Sequence, residues 1–306
     1  MITNTGIFGM GIQGNKRFLL EKKNFLFTLD PYKKKNVKFS RINQIEKINY
    51  KNIFLCIPDK IKFKFINYFL NKNKNILVEK PLILNELQIK KVEKICKKKK
   101  LNFYTAYNHR FEPSIVQLKK ELKKNIGKVY SVKMFYGNGT VKLVKDSVWK
   151  DKNNGILEDL GSHLLDICYY LFPKNKKFEL HYLKRNKFEN KFDDNVKLGI
   201  SLNKIFFDLG MSYCSWKNTF ELDVYAKNCS IHLRNLCKWG QSEIIVRKRV
   251  FPSGKPKEKI KKYNFGDPTW KKEHNFFFNI NYNEQKEIFK RDIWLNRVFN
   301  KIKKIK

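Results

Sequence analysis

Thr5-Gly6-Ile7-Phe8-Gly9-Met10-Gly11-Ile12-Gln13-Gly14 carries a G-x-G-x-x-G set at Gly9, Gly11 and Gly14. The apolar run Thr5 to Phe8 predicts a strand, and the pattern from about Gln13 to Lys22 predicts a helix. In a strand–loop–helix the three glycines act differently. Gly9 permits the tight turn, Gly11 lets the backbone approach a pyrophosphate, and Gly14 lets the helix pack near the strand. Met10 and Ile12, between them, are expected in the same contact. The helix N-terminus then presents N–H groups and the positive end of its dipole to the phosphates. Taken alone, the motif also reads as an ordinary glycine-rich turn. The context favours a dinucleotide site. The next strand, Phe25-Leu26-Phe27-Thr28-Leu29, ends in Asp30, roughly 20 residues beyond Gly9, where a carboxylate binds the adenosine ribose.

Strand and helix patterns go on alternating through the first third. Asn43 to Tyr50 predicts a short helix, and Asn52 to Ile57, stopped by Pro58, a strand buried on both faces. Lys62 to Asn71 has helical spacing, and Lys74 to Val78 is a strand closed by Glu79-Lys80-Pro81. Asn85 can cap a helix to Lys98, and Leu101 to Ala106 is a strand running into Tyr107-Asn108-His109-Arg110-Phe111. Such alternation predicts an α/β Rossmann domain, a doubly wound parallel sheet with right-handed crossovers. Gly9, Asp30, Pro58, Lys80 and Tyr107 to Arg110 all fall at carboxyl ends of strands, where ligands of these sheets bind.

Beyond a predicted helix Pro113 to Lys124 the pattern changes. Lys128 to Tyr136 alternates as a strand, and Gly155 to Phe172 reads as a long helix or a loop followed by a helix. Strand-like runs then follow at short intervals from Phe178 to Val250, joined by turns such as Asn203-Lys204. Phe251 to Trp270 reads as a loop and Glu284 to Ile305 as a last helix. The expectation is residues 1–124 as the NAD(P)-binding Rossmann domain. Residues 125–306 form an α+β domain with an open-faced antiparallel sheet, for substrate binding and oligomerisation.

The chain has 306 residues, 42% hydrophobic, enough for two cores. Its net charge of +38 raises an acidic partner, nucleic acid or anionic lipid. The lysines are dispersed, however, and accompany many Asn, Ile and Phe, as an AT-rich genome would produce. Runs such as Lys97 to Lys100 fall at helix ends, where cations suit the dipole. No specific nucleic-acid or membrane partner is expected. The cysteines, Cys56, Cys96, Cys168, Cys214, Cys229 and Cys237, show no zinc spacing, so no metal is expected and the chain reads as reduced and cytoplasmic. Nothing before the first strand resembles a signal peptide, and no apolar run is long enough to span a membrane.

Two further motifs carry chemistry. In Gly155-Ile156-Leu157-Glu158-Asp159-Leu160-Gly161-Ser162-His163-Leu164-Leu165-Asp166, a regular helix puts Asp159, His163 and Asp166 on one face at i, i+4 and i+7. A carboxylate one turn from an imidazole can orient it and raise its basicity, as a general base acting on a hydroxyl requires. An acid and a solvated His at a helix start is the competing reading. Lys80, between a buried strand and a proline, can bind a hydroxyl or stabilise an alkoxide.

Together these elements resemble the Gfo/Idh/MocA oxidoreductases, named for glucose–fructose oxidoreductase, inositol dehydrogenase and a rhizopine-catabolism protein. The matching residues are Gly9, Gly11 and Gly14; Asp30-Pro31; Glu79-Lys80-Pro81; Asn108-His109-Arg110-Phe111; and Asp159-x-Gly161-x-His163-x-x-Asp166 with Trp149 and Gly155 ahead of it. They run in the family's order over roughly residues 1–170. The resemblance implies an active site in the cleft between the domains, NAD (NADP possible), and a catalytic set of Lys80, Asp159 and His163. The set is expected to move a hydride between nicotinamide and a hydroxyl or keto carbon of a sugar, nucleotide sugar or cyclitol. His163 would be the acid/base, Asp159 its partner or a substrate ligand, and Lys80 the charge-stabilising group.

Cofactor contacts are implied for Gly9, Met10, Gly11, Ile12, Gly14, Asp30, Ile57, Pro58 and Glu79, and substrate contacts for Lys80, Asn108, Arg110, Asp159 and His163. Arg110 also reads as an ion-pair residue, and Asp166 as structural. Asp30 argues for NAD, while Lys33 to Lys35 keep NADP open. The chain departs from the family at Ile57-Pro58, where a small polar residue often precedes the proline. It departs again at Lys62, where a His is frequent, and at Asn153-Asn154-Gly155 in place of a triple glycine. A homodimer or homotetramer is implied through the open sheet face. The alternative function is a non-catalytic dinucleotide-binding sensor on the same fold, against which the intact Lys80 and His163 argue.

Overall fold

A computed structural model describes residues 4–21, 24–147, 155–173 and 177–305. Trp149, Asn153 and Asn154 therefore lie outside the described residues. The chain divides into two compact units, Met1–Tyr107 with Trp270–Arg297, and Asn108–Thr269 with Val298–Lys306.

The first unit holds β1 (Thr5–Phe8), α1 (Ile12–Leu20), β2 (Phe25–Leu29), β3 (Asn52–Leu55), α2 (Asp59–Asn71), β4 (Asn75–Glu79), α3 (Glu86–Lys99) and β5 (Phe103–Ala106). The five strands form a parallel sheet in the order β2-β1-β3-β4-β5, as the alternation predicts. Strand order reverses between β1 and β3, the switch point at which such sheets bind ligands. Every residue of β1, β3, β4 and β5 is buried, which is why these runs lack polar alternation. α3 buries Ile89, Val92 and Cys96 on one face. Asn85 caps it by accepting from the Gln88 N–H, while the Gln88 side chain accepts from the Asn85 N–H. Lys97 to Lys99 fill its last turn, at the negative end of its dipole. Asn43 to Tyr50 is not an α-helix; Ile42–Ile45 is a 3-10 helix that runs on into turns.

Gly9 has a φ of +96°, and a Cβ built on it would stand 2.3 Å from the Cys56 carbonyl oxygen. A Cβ on Gly14 would stand 1.9 Å from the Gly9 carbonyl oxygen. The tight turn and the close helix approach expected of these two glycines are therefore both present. Gly11 differs: nothing lies within 4 Å of its Cβ position. Gly14→Ala is expected to destabilise the protein by about 2–3 kcal/mol through overpacking, and Gly11→Ala by less than about 0.5 kcal/mol. Denaturant melts of the two variants read the difference, and equal losses would contradict it.

The second unit holds α4 (Pro113–Glu121), β6 (Val129–Gly137), α5 (Val141–Lys145), α6 (Ser162–Leu171), β7 (Phe178–Asn186), β8 (Asn195–Leu202), β9 (Ile205–Ser212), β10 (Thr219–Ala226), β11 (Cys229–Arg234), β12 (Ser242–Lys248) and β13 (Glu258–Tyr263). Its eight strands run β13-β12-β11-β10-β6-β9-β8-β7. The sheet is mixed, which corrects the expectation of a purely antiparallel one. β6 enters the centre and pairs parallel with β9 and antiparallel with β10. Parallel pairing needs a long crossover, and the helical segment between β6 and β7 provides it. β13 corrects the expected loop from Phe251 to Trp270. It is an edge strand whose residues Glu258 to Lys262 are exposed, so its sequence lacks a buried face. Its lysines discourage further pairing at that edge.

The chain then returns to the first unit through α7 (Thr269–Phe278) and most of α8 (Tyr282–Lys303). α7 was not predicted. α8 closes the free edge of β5: the Gln285 side chain accepts from the Phe103 N–H at 2.8 Å and donates to its carbonyl at 2.7 Å, as a neighbouring strand would. Phe289 stacks on Phe103 with 5.5 Å between centroids. Asp292 accepts from the buried Thr105 hydroxyl at 2.8 Å. These contacts draw Trp270–Arg297 into the first unit. Residues from Asn108 onward pack with the second unit instead, where Glu112 accepts from the Cys237 N–H at 2.5 Å. Both assignments differ from a single break at residue 124. No helix among the described residues is long and apolar enough to cross a membrane.

Candidate active site

In the first unit the glycine loop joins β1 to α1 with its backbone held from three sides. The Gly9 N–H donates to the Leu29 carbonyl at 2.9 Å, and the Asn15 amide donates to the carbonyls of Met10 and Gly11. The Met10 N–H donates to Asp30 Oδ2 at 2.7 Å. Asp30 Oδ1 accepts from the N–H groups of Tyr32 and Lys33 at 2.8 and 2.9 Å. Asp30 thus ties the glycine loop to the end of β2 in addition to any role toward a ribose. A carboxylate has about four lone-pair sites, so three N–H donors leave room for one hydroxyl. No side chain caps α1 at its Gly11 N-cap. Its first N–H groups and the open space at Gly11 suit a pyrophosphate, so the residues present fit a dinucleotide. Ile12 is 67% exposed beside that space. Ile57 is buried after β3, and Pro58 is the N-cap of α2.

Behind the loop, α1 buries only Gly14 and Arg17, one turn apart on the same face. Arg17 donates to Glu79 at 2.6 Å, to Glu273 at 2.8 Å and to His274 Nε2 at 2.9 Å. It also lies over the Trp270 ring, 4.7 Å from the centroid. Burial opposes the Arg17 charge, but the carboxylates of Glu79 and Glu273 outweigh it and hold the guanidinium above its usual range. Burial, then the Arg17 charge, pushes His274 down to about 2, leaving a neutral ring that accepts at Nε2. Glu79, expected as a cofactor ligand, has its carboxylate on Arg17. Lys80 follows it at the carboxyl end of β4, half-buried.

In the second unit the D-x-G-x-H segment is helical but irregular. Leu157–Gly161 is a π-helical turn leading into α6. The wider turn changes the offset that a regular helix would give Asp159 from His163, while His163 and Asp166 both lie within α6, and such turns recur at functional sites. Asp159 Oδ2 accepts from the Tyr213 hydroxyl at 3.0 Å. Burial, then the Asp159 charge, pushes the Tyr213 phenol well above its usual range, so it stays a donor. The buried His163 ring stacks on His109, with centroids 3.9 Å apart and planes 24° from parallel. Lys238 Nζ lies 2.9 Å from His109 Nε2. An ammonium only donates, so His109 Nε2 accepts and its ring is neutral. Tyr136 borders both imidazoles, with its ring centroid 5.4 Å from His109 and 6.1 Å from His163.

Asp166 takes both the Nε and NH2 groups of Arg110, whose guanidinium also lies over Tyr170. The side chains are 13% and 1% exposed. Arg110 and Asp166 thus form a largely buried ion pair. Asn108, expected at the substrate, donates to the Thr269 hydroxyl at 2.9 Å. Sequence patterns assign no role to Arg17, Lys238 or Tyr213, and mark His109 only as part of the Asn108-His109-Arg110-Phe111 motif. Arg17 has a local signal, a charge on the inward face of a helix three positions after Gly14.

Residues 119–246 match the model of the oxidoreductase family, C-terminal alpha/beta domain. Glucose-6-phosphate 3-dehydrogenase of Bacillus subtilis (strain 168) is 25% identical over 168 residues, covering 53% of this chain and 46% of that enzyme. The match thus spans under half of that relative's length. Among solved structures, GenD2 from gentamicin A biosynthesis, in complex with NAD, superposes with a TM-score of 0.78 at 12% identity over 97% of this chain and 93% of its own. KijD10, a 3-ketoreductase from Actinomadura kijaniata in complex with NADP and TDP-benzene, gives 0.76 at 10% identity over 97% and 96%. Likeness at these identities establishes the fold.

Proposed function

We propose that this chain is an NAD(P)-dependent dehydrogenase or reductase of a sugar, nucleotide sugar or cyclitol, of the Gfo/Idh/MocA oxidoreductase type that the match over residues 119–246 supports. The observation that carries this reading is the space at Gly11 before the uncapped start of α1. Gly9, Met10, Gly11, Ile12 and Gly14 would hold the pyrophosphate, with Asp30 at the ribose. The nicotinamide supplies the hydride acceptor or donor when bound. NAD is the first choice because the Asp30 carboxylate repels a 2′-phosphate. The names of the Bacillus dehydrogenase and the Actinomadura ketoreductase support a sugar substrate.

In this proposal His163 takes the proton of the reacting hydroxyl in oxidation and returns it in reduction. The Lys80 ammonium stabilises the charge that grows on that oxygen. Asp159, fixed by Tyr213, binds the substrate hydroxyl or orients His163. Homodimer or homotetramer formation and a cytoplasmic setting belong to the same proposal.

Calorimetric titration of NAD+ and NADP+ tests the cofactor, and nicotinamide absorbance with glucose 6-phosphate, a TDP-keto sugar and myo-inositol tests the substrate class. Wild type should bind NAD+, and Gly11→Ala should weaken binding at least about tenfold, or about 1.4 kcal/mol. A folded wild type that binds neither dinucleotide would refute the proposal.

A further inference from the structure

Lys62, on α2, is 2% exposed although it is a lysine in a chain with 66 basic residues. Its ammonium donates to the Glu79 carbonyl at 2.5 Å and to the Pro81 carbonyl at 2.7 Å, and lies 2.6 Å from Asp59 Oδ1. An ammonium has three N–H donors, so all are committed. Lys62 therefore has no donor left for a cofactor or substrate. Burying an ammonium is costly and is tolerated only where such partners are supplied.

The two carbonyls belong to the residues on either side of Lys80. Glu79 is the last ladder residue of β4, paired with Ala106, so the chain leaves the sheet here without strand partners to hold it. One point charge bridging the i and i+2 carbonyls restrains the dihedrals of the residue between them. The Glu79 side chain is held independently by Arg17. Two buried cations, from α1 and α2, thus grip the turn from its side-chain and backbone aspects.

We propose that Lys62 is the positioning residue of Lys80, fixing through the Glu79 and Pro81 carbonyls the backbone from which the Lys80 side chain projects. This rests on the role proposed above for Lys80. Displacing a reacting group by about 1 Å can cost about 10²-fold in rate, so loss of the clamp should act on turnover more than on cofactor binding.

The test compares Lys62→Met, Lys62→Arg and Lys80→Ala. A crystal structure of Lys62→Met should show Lys80 Cα moved by about 1 Å or the turn in more than one conformation. Turnover of glucose 6-phosphate with NAD+, or of whichever panel sugar reacts fastest, should fall about 10²-fold, with the NAD+ Kd changed less than about threefold. Lys62→Arg, which keeps the charge and donors, should recover at least about tenfold of that loss. An unmoved turn in Lys62→Met, or its full turnover while Lys80→Ala is inactive, overturns the inference. Full turnover in Lys80→Ala overturns instead the role of Lys80, and the Lys62→Met crystal structure then judges the clamp alone. If Lys62→Met does not fold, Lys62→Gln, with two N–H donors and no charge, replaces it in each measurement.

Discussion

Lys80→Ala is expected to lower turnover by about 10³-fold while leaving the NAD+ Kd within about threefold of wild type. Removing one group that stabilises a developing oxyanion typically costs about 10²–10³-fold, and a full cation stands at the upper end. Lys80 is half-buried at the end of β4, where field lines are less screened than at an open surface. The glycine loop, Asp30 and α1 form their own hydrogen-bond set, which does not pass through the Lys80 side chain, so cofactor binding should survive. Stopped-flow turnover beside calorimetric binding separates the two effects. Wild-type turnover in Lys80→Ala would remove it from the catalytic set. Parallel loss of binding and turnover would make it a cofactor ligand instead.

Substituting His163 should reduce turnover by about 10²–10⁴-fold, the range associated with losing a general acid or base. Glutamine is the preferred replacement, because it preserves volume beside His109 and Tyr136 and cannot accept a proton near neutral pH. The stacking partner supplies a control. His109→Phe keeps an aromatic face next to His163 but loses the bond to Lys238, and should retain at least about a tenth of the turnover if His163 alone handles the proton. A His163→Gln enzyme within about threefold of wild type would leave the D-x-G-x-H segment without its proposed chemistry. A larger loss in His109→Phe than in His163→Gln would transfer the acid/base role to the other ring.

Much of the first unit was legible because its signals are local. A strand buried on both faces is a run of apolar residues, and β3 and β4 both read that way. Asn85 and Gln88 announce a helix start from three positions apart. Gly9, Gly11 and Gly14 are close in sequence and so are read together, and Gly14 meets the Gly9 carbonyl nearby, although the carbonyl that crowds Gly9 is the distant Cys56. The expectations that changed concern pairings at long range. A purely antiparallel second sheet follows from strands at short intervals, yet β6 is set apart from the later strands by helices and takes a central place beside β9. The π turn at Leu157–Gly161 leaves no mark in a sequence, since an extra residue per turn looks the same in letters as a regular helix.

The sequence by itself determined that a dinucleotide-type loop begins the chain, that β4 ends in Glu79-Lys80-Pro81, and that an acid and a histidine lie four positions apart in one helical segment. Spacing and apolar runs act over a few residues, so they can be read in order. Only the tertiary structure decided what surrounds them. Arg17 meets Glu273 across 256 positions, and Gln285 seals β5 across 182. Lys62 is one lysine among many until its burial against two carbonyls sets it apart. Those roles come from desolvation and from which partner is within reach, and neither exists until distant segments have packed together.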